Sequence, residues 1–214
     1  MLLAFDTATA LVTVALHDGD RVVVEHSSEV PMKHGEHLAP LIARALADAG
    51  VVRQDLTAIA VGVGPGPFTG LRVGLVTART LGLVLQVPVY GVCSLDIIAA
   101  EVVGSGSAAG SFLVATDARR KEVYLASYDE QGERLAGPAV SRPADVATIA
   151  DVAGAGPSLY PESFPNPLAP QRPSAGWLAA AVAEELVELL DPDPLYLRRP
   201  DAVAGAAAAR KPVS

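Results

Sequence analysis

The sequence is short of the residues on which much protein chemistry rests. It has one cysteine, Cys93, in 214 residues, which excludes a disulfide framework and any cysteine-based zinc site. Its four histidines are His17, His26, His34 and His37. His34 and His37 could share a helix face, but two ligands do not make a metal site, and His-Gly-Glu-His departs from the His-Glu-x-x-His pattern. No metal or cofactor is expected. Positive charge is also scarce: 16 Lys and Arg stand against 24 Asp and Glu, a net charge of −8. That balance lacks the footprint of a nucleic-acid binder, so any RNA is expected to be held mainly by a partner. No apolar run reaches the roughly 18 residues of a membrane span, since Arg79 interrupts residues 71–85. The N-terminus has no basic region before its first acid, Asp6. A soluble, cytoplasmic protein is therefore expected. A Gly-x-Ser-x-Gly elbow is absent too.

What is present is apolar. Hydrophobic residues make up 50% and charged residues 19%, enough for a core in one large domain or two small ones. Residues 2–5, 11–16 and 21–26 read as three strands, with Asp18-Gly19 turning the last two into a hairpin. Leu38, Leu41, Ile42, Ala45, Leu46 and Ala49 form one apolar stripe on a helix over 34–49. Strands are expected at 56–63 and 87–92, with helices at 69–85 and 94–103. Residues 104–110 have a flexible connector's composition. Later, a short helix is expected at 143–150, a strand running into a glycine turn at 152–157, irregular chain at 161–173 and a helix at 175–190. The resulting division is 1–103, a linker 104–110, 111–201, and a frayed tail 202–214.

After the connector the opening pattern recurs. Residues 112–116 form a strand ending in Asp117, as 2–5 ends in Asp6. Val12 and Val123 each follow six residues later, and Gly19 and Gly132 each supply a turn. The halves resemble copies of one strand–Asp–loop–strand unit. Paired aspartates of this kind hold Mg²⁺-nucleotide in actin-like and sugar-kinase ATPases, where glycines follow each Asp so that backbone amides reach phosphate. Here Thr7-Ala8-Thr9 and Ala118-Arg119-Arg120 follow instead. A residual nucleotide cleft would involve Asp6, Thr7, Asp117 and Arg119, with its phosphate clamps degraded.

Gly70, Gly74, Ala78 and Gly82 recur every four residues along one helix face. Glycine inside a helix costs about 1 kcal/mol relative to Ala, so the row implies close approach by another backbone. That neighbour is either the chain's own sheet or a helix of a second chain. The preceding loop, 62–70, joins a strand to a helix N-terminus. Its two prolines remove amides that an anion would need, and it lacks a P-loop's Lys-Ser/Thr ending. A rigid structural turn is expected.

The block Gly64-Pro65-Gly66-Pro67-Phe68-Thr69-Gly70-Leu71-Arg72-Val73-Gly74 resembles the signature of the TsaB (YeaZ) family. Phe5-Asp6-Thr7-Ala8, His34-Gly35-Glu36-His37-Leu38, Gly91-Val92-Cys93-Ser94-Leu95, Asp117-Ala118-Arg119-Arg120-Lys121-Glu122-Val123-Tyr124 and Tyr196-Leu197-Arg198-Arg199-Pro200-Asp201-Ala202 match in family order across nearly the whole chain. One departure is Pro67, where the family often has Ser.

The resemblance implies an α/β, actin-like fold of two ribonuclease-H-like subdomains. It implies a non-catalytic scaffold in the making of threonylcarbamoyladenosine beside the tRNA anticodon. The paralogue TsaD transfers the threonylcarbamoyl group, the ATPase TsaE resets the complex, and tRNA is reached only through it. Pairing with TsaD, or with a second copy when alone, would use the first two helices. Leu38, Leu41, Ile42, Gly70, Leu71, Gly74, Leu75 and Ala78 are then the expected interface, shared with the core. The catalytic paralogue's two metal-binding histidines fall at Ser94 and Ile98, neither of which can replace an imidazole. The competing readings are an active ATPase or small-molecule kinase, which needs glycine-rich phosphate loops, and a metalloprotease-like hydrolase, which needs ligands.

Overall fold

A computed structural model describes residues 1–29 and 34–198, without the side chains of Glu29 and His34. The first sheet contains β1 (Leu2–Asp6), β2 (Leu11–His17), β3 (Val22–Glu29), β4 (Ala58–Gly64) and β5 (Val89–Cys93), in the order β3-β2-β1-β4-β5. The hairpin strands are antiparallel, and β4 and β5 add parallel to β1. The parallel additions need crossovers, which α1 (His34–Asp48) and α2 (Phe68–Leu85) supply.

The second sheet contains β6 (Phe112–Asp117), β7 (Val123–Tyr128), β8 (Arg134–Ser141), β9 (Asp151–Ala153) and β10 (Asn166–Pro167). Its order is β8-β7-β6-β9-β10, with antiparallel pairs on one side of β6 and parallel pairs on the other. Strand for strand this is the topology of the first sheet. Asp6 lies opposite Thr13 and Asp117 opposite Val123, at equivalent ends of the two leading strands. The molecule is α/β with two ribonuclease-H-like sheets, the duplicated architecture of the actin-like fold.

Side chains alternate across β1. Leu3 and Phe5 pack under α1 and α2 with Leu38, Leu71 and Ala78, while Ala4 meets Ile97, Leu178 and Ala179 on the opposite face. Those residues come from α3 (Ser94–Gly104) and α5 (Ala175–Ala183). Ile98, on another side of α3, joins Phe112 and Tyr128 of the second sheet, so α3 is the shared wall between the sheets. The last residue of α3, Gly104, leaves room for Trp177, since a Cβ there would sit 2.2 Å from its ring.

Several expected elements differ. The helix expected over 175–190 stops at Ala183. Leu190 exchanges two 2.8 Å backbone hydrogen bonds with Gly91 at the edge of the first sheet, and the chain leaves the helix through Glu185 at φ 56°. Residues 143–150 shorten to a 3-10 turn, Pro143–Val146. The 152–157 segment divides into β9 and the one-turn α4 (Gly156–Leu159). The connector begins one residue late, since Gly104 is helical. β8, interrupted by Gly137-Pro138, and the two-residue β10 within 161–173 carry too little alternation to read from sequence. The tail 202–214 and the motif end Arg199-Pro200-Asp201-Ala202 lie outside the described residues.

Candidate functional site

Asp6 is fully buried at the end of β1. The Ser94 hydroxyl donates to its Oδ2 at 2.6 Å, and the Ala8 amide donates to its Oδ1 at 2.7 Å. The same hydroxyl accepts from the Gly64 amide at 3.2 Å. Gly62 makes room for this carboxylate, for a Cβ there would lie 1.7 Å from Oδ2. Thr7, also fully buried, donates to the Gly70 carbonyl at 2.8 Å. Asp6 and Thr7 therefore clamp the end of β1 to the β4–α2 loop and the start of α3. They do not line the cleft in which the sequence reading placed them. A buried carboxylate must be hydrogen-bonded, and its nearest donors come from the protein itself.

Asp117 and Arg119 do line the space between the halves. Asp117 accepts the Arg119 amide at 2.7 Å, and its other oxygen lies 3.1 Å from the Arg119 guanidinium. The cavity there holds about 180 Å³ and is walled by Thr9, Pro67, Asp117, Arg119, Leu159 and Arg172 among others. That is below the roughly 300–1,000 Å³ typical of small-molecule sites. Of the four expected cleft residues, the fold brings two together and seals the other two beneath them.

The glycine row of α2 is turned inward. A Cβ at Gly74 would stand 2.5 Å from the Thr7 hydroxyl, and one at Gly82 would stand 2.3 Å from the Val89 side chain. Gly70, Leu71, Gly74, Leu75 and Ala78 are buried on the chain's own sheet, as are Leu38 and Ile42 of α1, with Leu41 half-buried beside them. These eight residues pack against the chain's own sheet, and the close approach that Gly74 and Gly82 permit is to Thr7, Val61 and Val89.

The outward face of the helix pair is different. On α2 it presents Val76, Leu83 and Val84, which are 61%, 81% and 70% exposed. On α1 it presents Gly35, Ala39, Ala43 and Ala47, all exposed and spaced by four. An open groove of about 500 Å³ runs along Gly35, Phe68, Arg72, Val73 and Val76. The four-residue spacing of these small residues is legible in the sequence, and the larger apolar stripe of Leu38, Ile42 and Ala45 is buried on the opposite face of α1.

One polar cluster had no signal in the sequence. Tyr128 donates to Asp96 at 2.7 Å, and Arg134 reaches both Asp96 oxygens at 3.1–3.2 Å and Glu188 at 2.8 Å. Burial pushes the Asp96 carboxyl up, while the Tyr128 hydrogen bond and Arg134 pull it down. Burial also pushes the neighbouring Cys93 thiol up to about 12, so it is an inert core thiol. His37 pairs with Ser28 at 3.3 Å. Among the described residues no three His, Cys, Asp or Glu side chains converge as metal ligands. Ile98 is fully buried in the core, and Ser94 is committed to Asp6.

Comparison with known proteins adds four findings. The family model of TsaD, tRNA N6-adenosine threonylcarbamoyltransferase, matches residues 27–204. The chain is 46% identical over 211 residues to an uncharacterized protein of Mycobacterium tuberculosis, covering 94% of this chain and 93% of that one. It is 38% identical over 133 residues to the Escherichia coli tRNA threonylcarbamoyladenosine biosynthesis protein TsaB, covering 61% of this chain and 57% of the other. Among solved structures, YeaZ from Pseudomonas aeruginosa superposes with a TM-score of 0.77 at 34% identity, covering 92% of this chain and 99% of that one.

Proposed function

The chain belongs to the TsaB (YeaZ) family and carries the TsaD-type domain; from that premise we propose that it serves tRNA threonylcarbamoyladenosine biosynthesis as a non-catalytic subunit. In this reading it pairs with the TsaD transferase in the cytoplasm, TsaE joins the pair, and tRNA is modified on the partner. Alone, the chain pairs with a second copy through the same face.

The observation that carries this reading is the outward face of α1 and α2. Val76, Leu83 and Val84 leave apolar surface in water, which is unfavourable by about 25 cal/mol per Å² until something covers it. On α1 the exposed Gly35-Ala39-Ala43-Ala47 row, whose Gly35 shares a groove with Val76, lets a partner helix approach closely. The same chain closes its own Asp6 with Ser94 and the Ala8 amide. An active ATPase or kinase would need that carboxylate open to a metal-bound phosphate. Activation then consists of presenting a rigid helix pair to the partner, and no reacting group of this chain is required.

The test is light scattering after gel filtration, with this chain alone and mixed with TsaD, TsaE and nucleotide. Wild type should form a stoichiometric complex. The Val76→Asp, Leu83→Asp double variant should keep its thermal midpoint and lose the complex, because both residues point into solvent. A complex of undiminished stability with that variant would overturn the assignment of the face. No complex with wild type would overturn the scaffold reading.

A further inference from the structure

The turn between β6 and β7 carries Arg119, Arg120 and Lys121 at φ 61°, 53° and 61°. Non-glycine residues visit this left-handed region singly, at roughly 1–2 kcal/mol each. Three in succession persist only where surroundings over-determine them, and such strain collects at functional sites. Here the constraints are on view. The Ala118 amide donates to the Glu122 carbonyl, and the Glu122 amide donates to the Arg119 carbonyl, both at 3.0 Å. Arg198 donates to the Ala118 carbonyl at 3.1 Å and ion-pairs with Glu122. The outcome is three exposed cations side by side on a fixed loop.

Aromatic rings stand beside them. Tyr124 and Tyr196 line a cavity of about 180 Å³ together with Pro67, Arg119, Arg120 and Arg198. Phe68, on its rim, stacks on Tyr196 at 5.2 Å between centroids, and Arg72 lies 4.7 Å over the Phe68 ring. Five cations thus gather here, Arg72, Arg119, Arg120, Lys121 and Arg198, in a chain whose net charge is −8. Two of these cations, Arg119 and Arg198, are ion-paired with Asp117 and Glu122, and the cluster as a whole stays net positive.

Cations for phosphate and rings for a base describe a nucleotide. The cavity is too small for a whole one, so it takes a single planar ring and leaves sugar and phosphate on the rim. We infer that this pocket holds one unpaired base of an RNA strand, with the flanking phosphates against Arg119, Arg120 and Arg72. The strand is favoured over a free nucleotide because Arg72 and Lys121 carry the positive charge beyond the cavity that Arg119, Arg120 and Arg198 line. The contact needs no partner protein, and the net acidity of the chain keeps it weak, with a dissociation constant on the order of 10⁻⁴ M.

The test is fluorescence anisotropy of a labelled single-stranded oligoadenylate on the full chain, with AMP and duplex RNA as competitors. The Arg119→Ala, Arg120→Ala double variant changes exposed residues, and circular dichroism checks its fold. It should bind about tenfold more weakly, with a shallower salt dependence. Tyr196→Leu should also lose about tenfold, through lost stacking, without changing the salt slope. Duplex RNA should compete poorly, having no free base. Unchanged binding in both variants, or equal competition by duplex, would overturn the proposal. Competition by AMP at equal nucleotide concentration would overturn the strand in favour of a free nucleotide. None of these outcomes depends on complex formation with TsaD, so this contact and the pairing face fail or stand separately.

Discussion

Glu101 on α3 is the clearest place to perturb the energetics of the fold. Its Oε2 is buried and has no hydrogen-bond partner among the described residues. Burial, and then the charge of Glu25, push its carboxyl from the ordinary 4.5 up to about 7. Glu25 is itself held in place, accepting from Thr13 at 3.2 Å and Ser174 at 2.9 Å. An acid whose folded value is raised keeps its proton more tightly in the fold than in the unfolded chain. Below pH 4.5 both states are protonated and nothing is lost. From 4.5 to about 7 the unfolded chain ionises first and stability falls, and above about 7 the loss is complete. At about 1.4 kcal/mol per pH unit the full span is about 3 kcal/mol. The carboxyl is partly exposed, and solvent screening reduces this to about 1–2 kcal/mol. Glu101→Gln removes the charge at every pH. Urea unfolding should therefore find the variant about 1–2 kcal/mol more stable than wild type at pH 8 and indistinguishable from it at pH 4. In thermal melts each kcal/mol is worth about 2–4 °C for a chain of this size. A difference between variant and wild type that stays constant from pH 4 to pH 8 would refute the reasoning.

Gly74→Ala should cost about 1–3 kcal/mol by overpacking against Thr7. In a Thr7→Ala background the same change should become stabilising, through the helix-propensity gain of about 1 kcal/mol; an equal cost in both backgrounds, read from urea midpoints, would show that Thr7 is not the obstacle. Arg134→Ala strands the buried Asp96 and should cost about 3 kcal/mol near neutral pH. That loss should shrink as pH falls and Asp96 takes up a proton, whereas Tyr128→Phe should cost about 1 kcal/mol; equal, pH-independent losses in denaturant titrations would count against the ion pair.

Local order left clear marks in the sequence. Asp18-Gly19 announced the first hairpin, the stripe at Leu38, Ile42 and Ala45 announced α1, and the shared spacing from Asp6 to Val12 and from Asp117 to Val123 announced two sheets of one topology. Each is a short-range pattern with a period set by backbone geometry, and so it survives without knowledge of the neighbours. Marks were faint where long-range pairing decides. β8 and β10 exist because β7 and β9 offer them edges, and the helical run Glu184 to Leu189 yields because Leu190 is worth more to the first sheet than to a helix.

The site divides along the same line. Composition and motif order were enough to identify the family and to expect degraded phosphate clamps, because missing glycines and histidines are missing in any conformation. Spacing by four could say that Gly70, Gly74, Ala78 and Gly82 share a face, but not which neighbour that face meets. Packing settled it: β1, β4 and β5 lie beneath the glycines, and the exposed small row falls on α1. Likewise Asp6 and Asp117 hold equivalent places in two copies of one unit, yet one is sealed by Ser94 from α3 and the other opens onto the cleft. A repeat repeats its strands, but α3 packs between the sheets only once, and that asymmetry belongs to the tertiary structure.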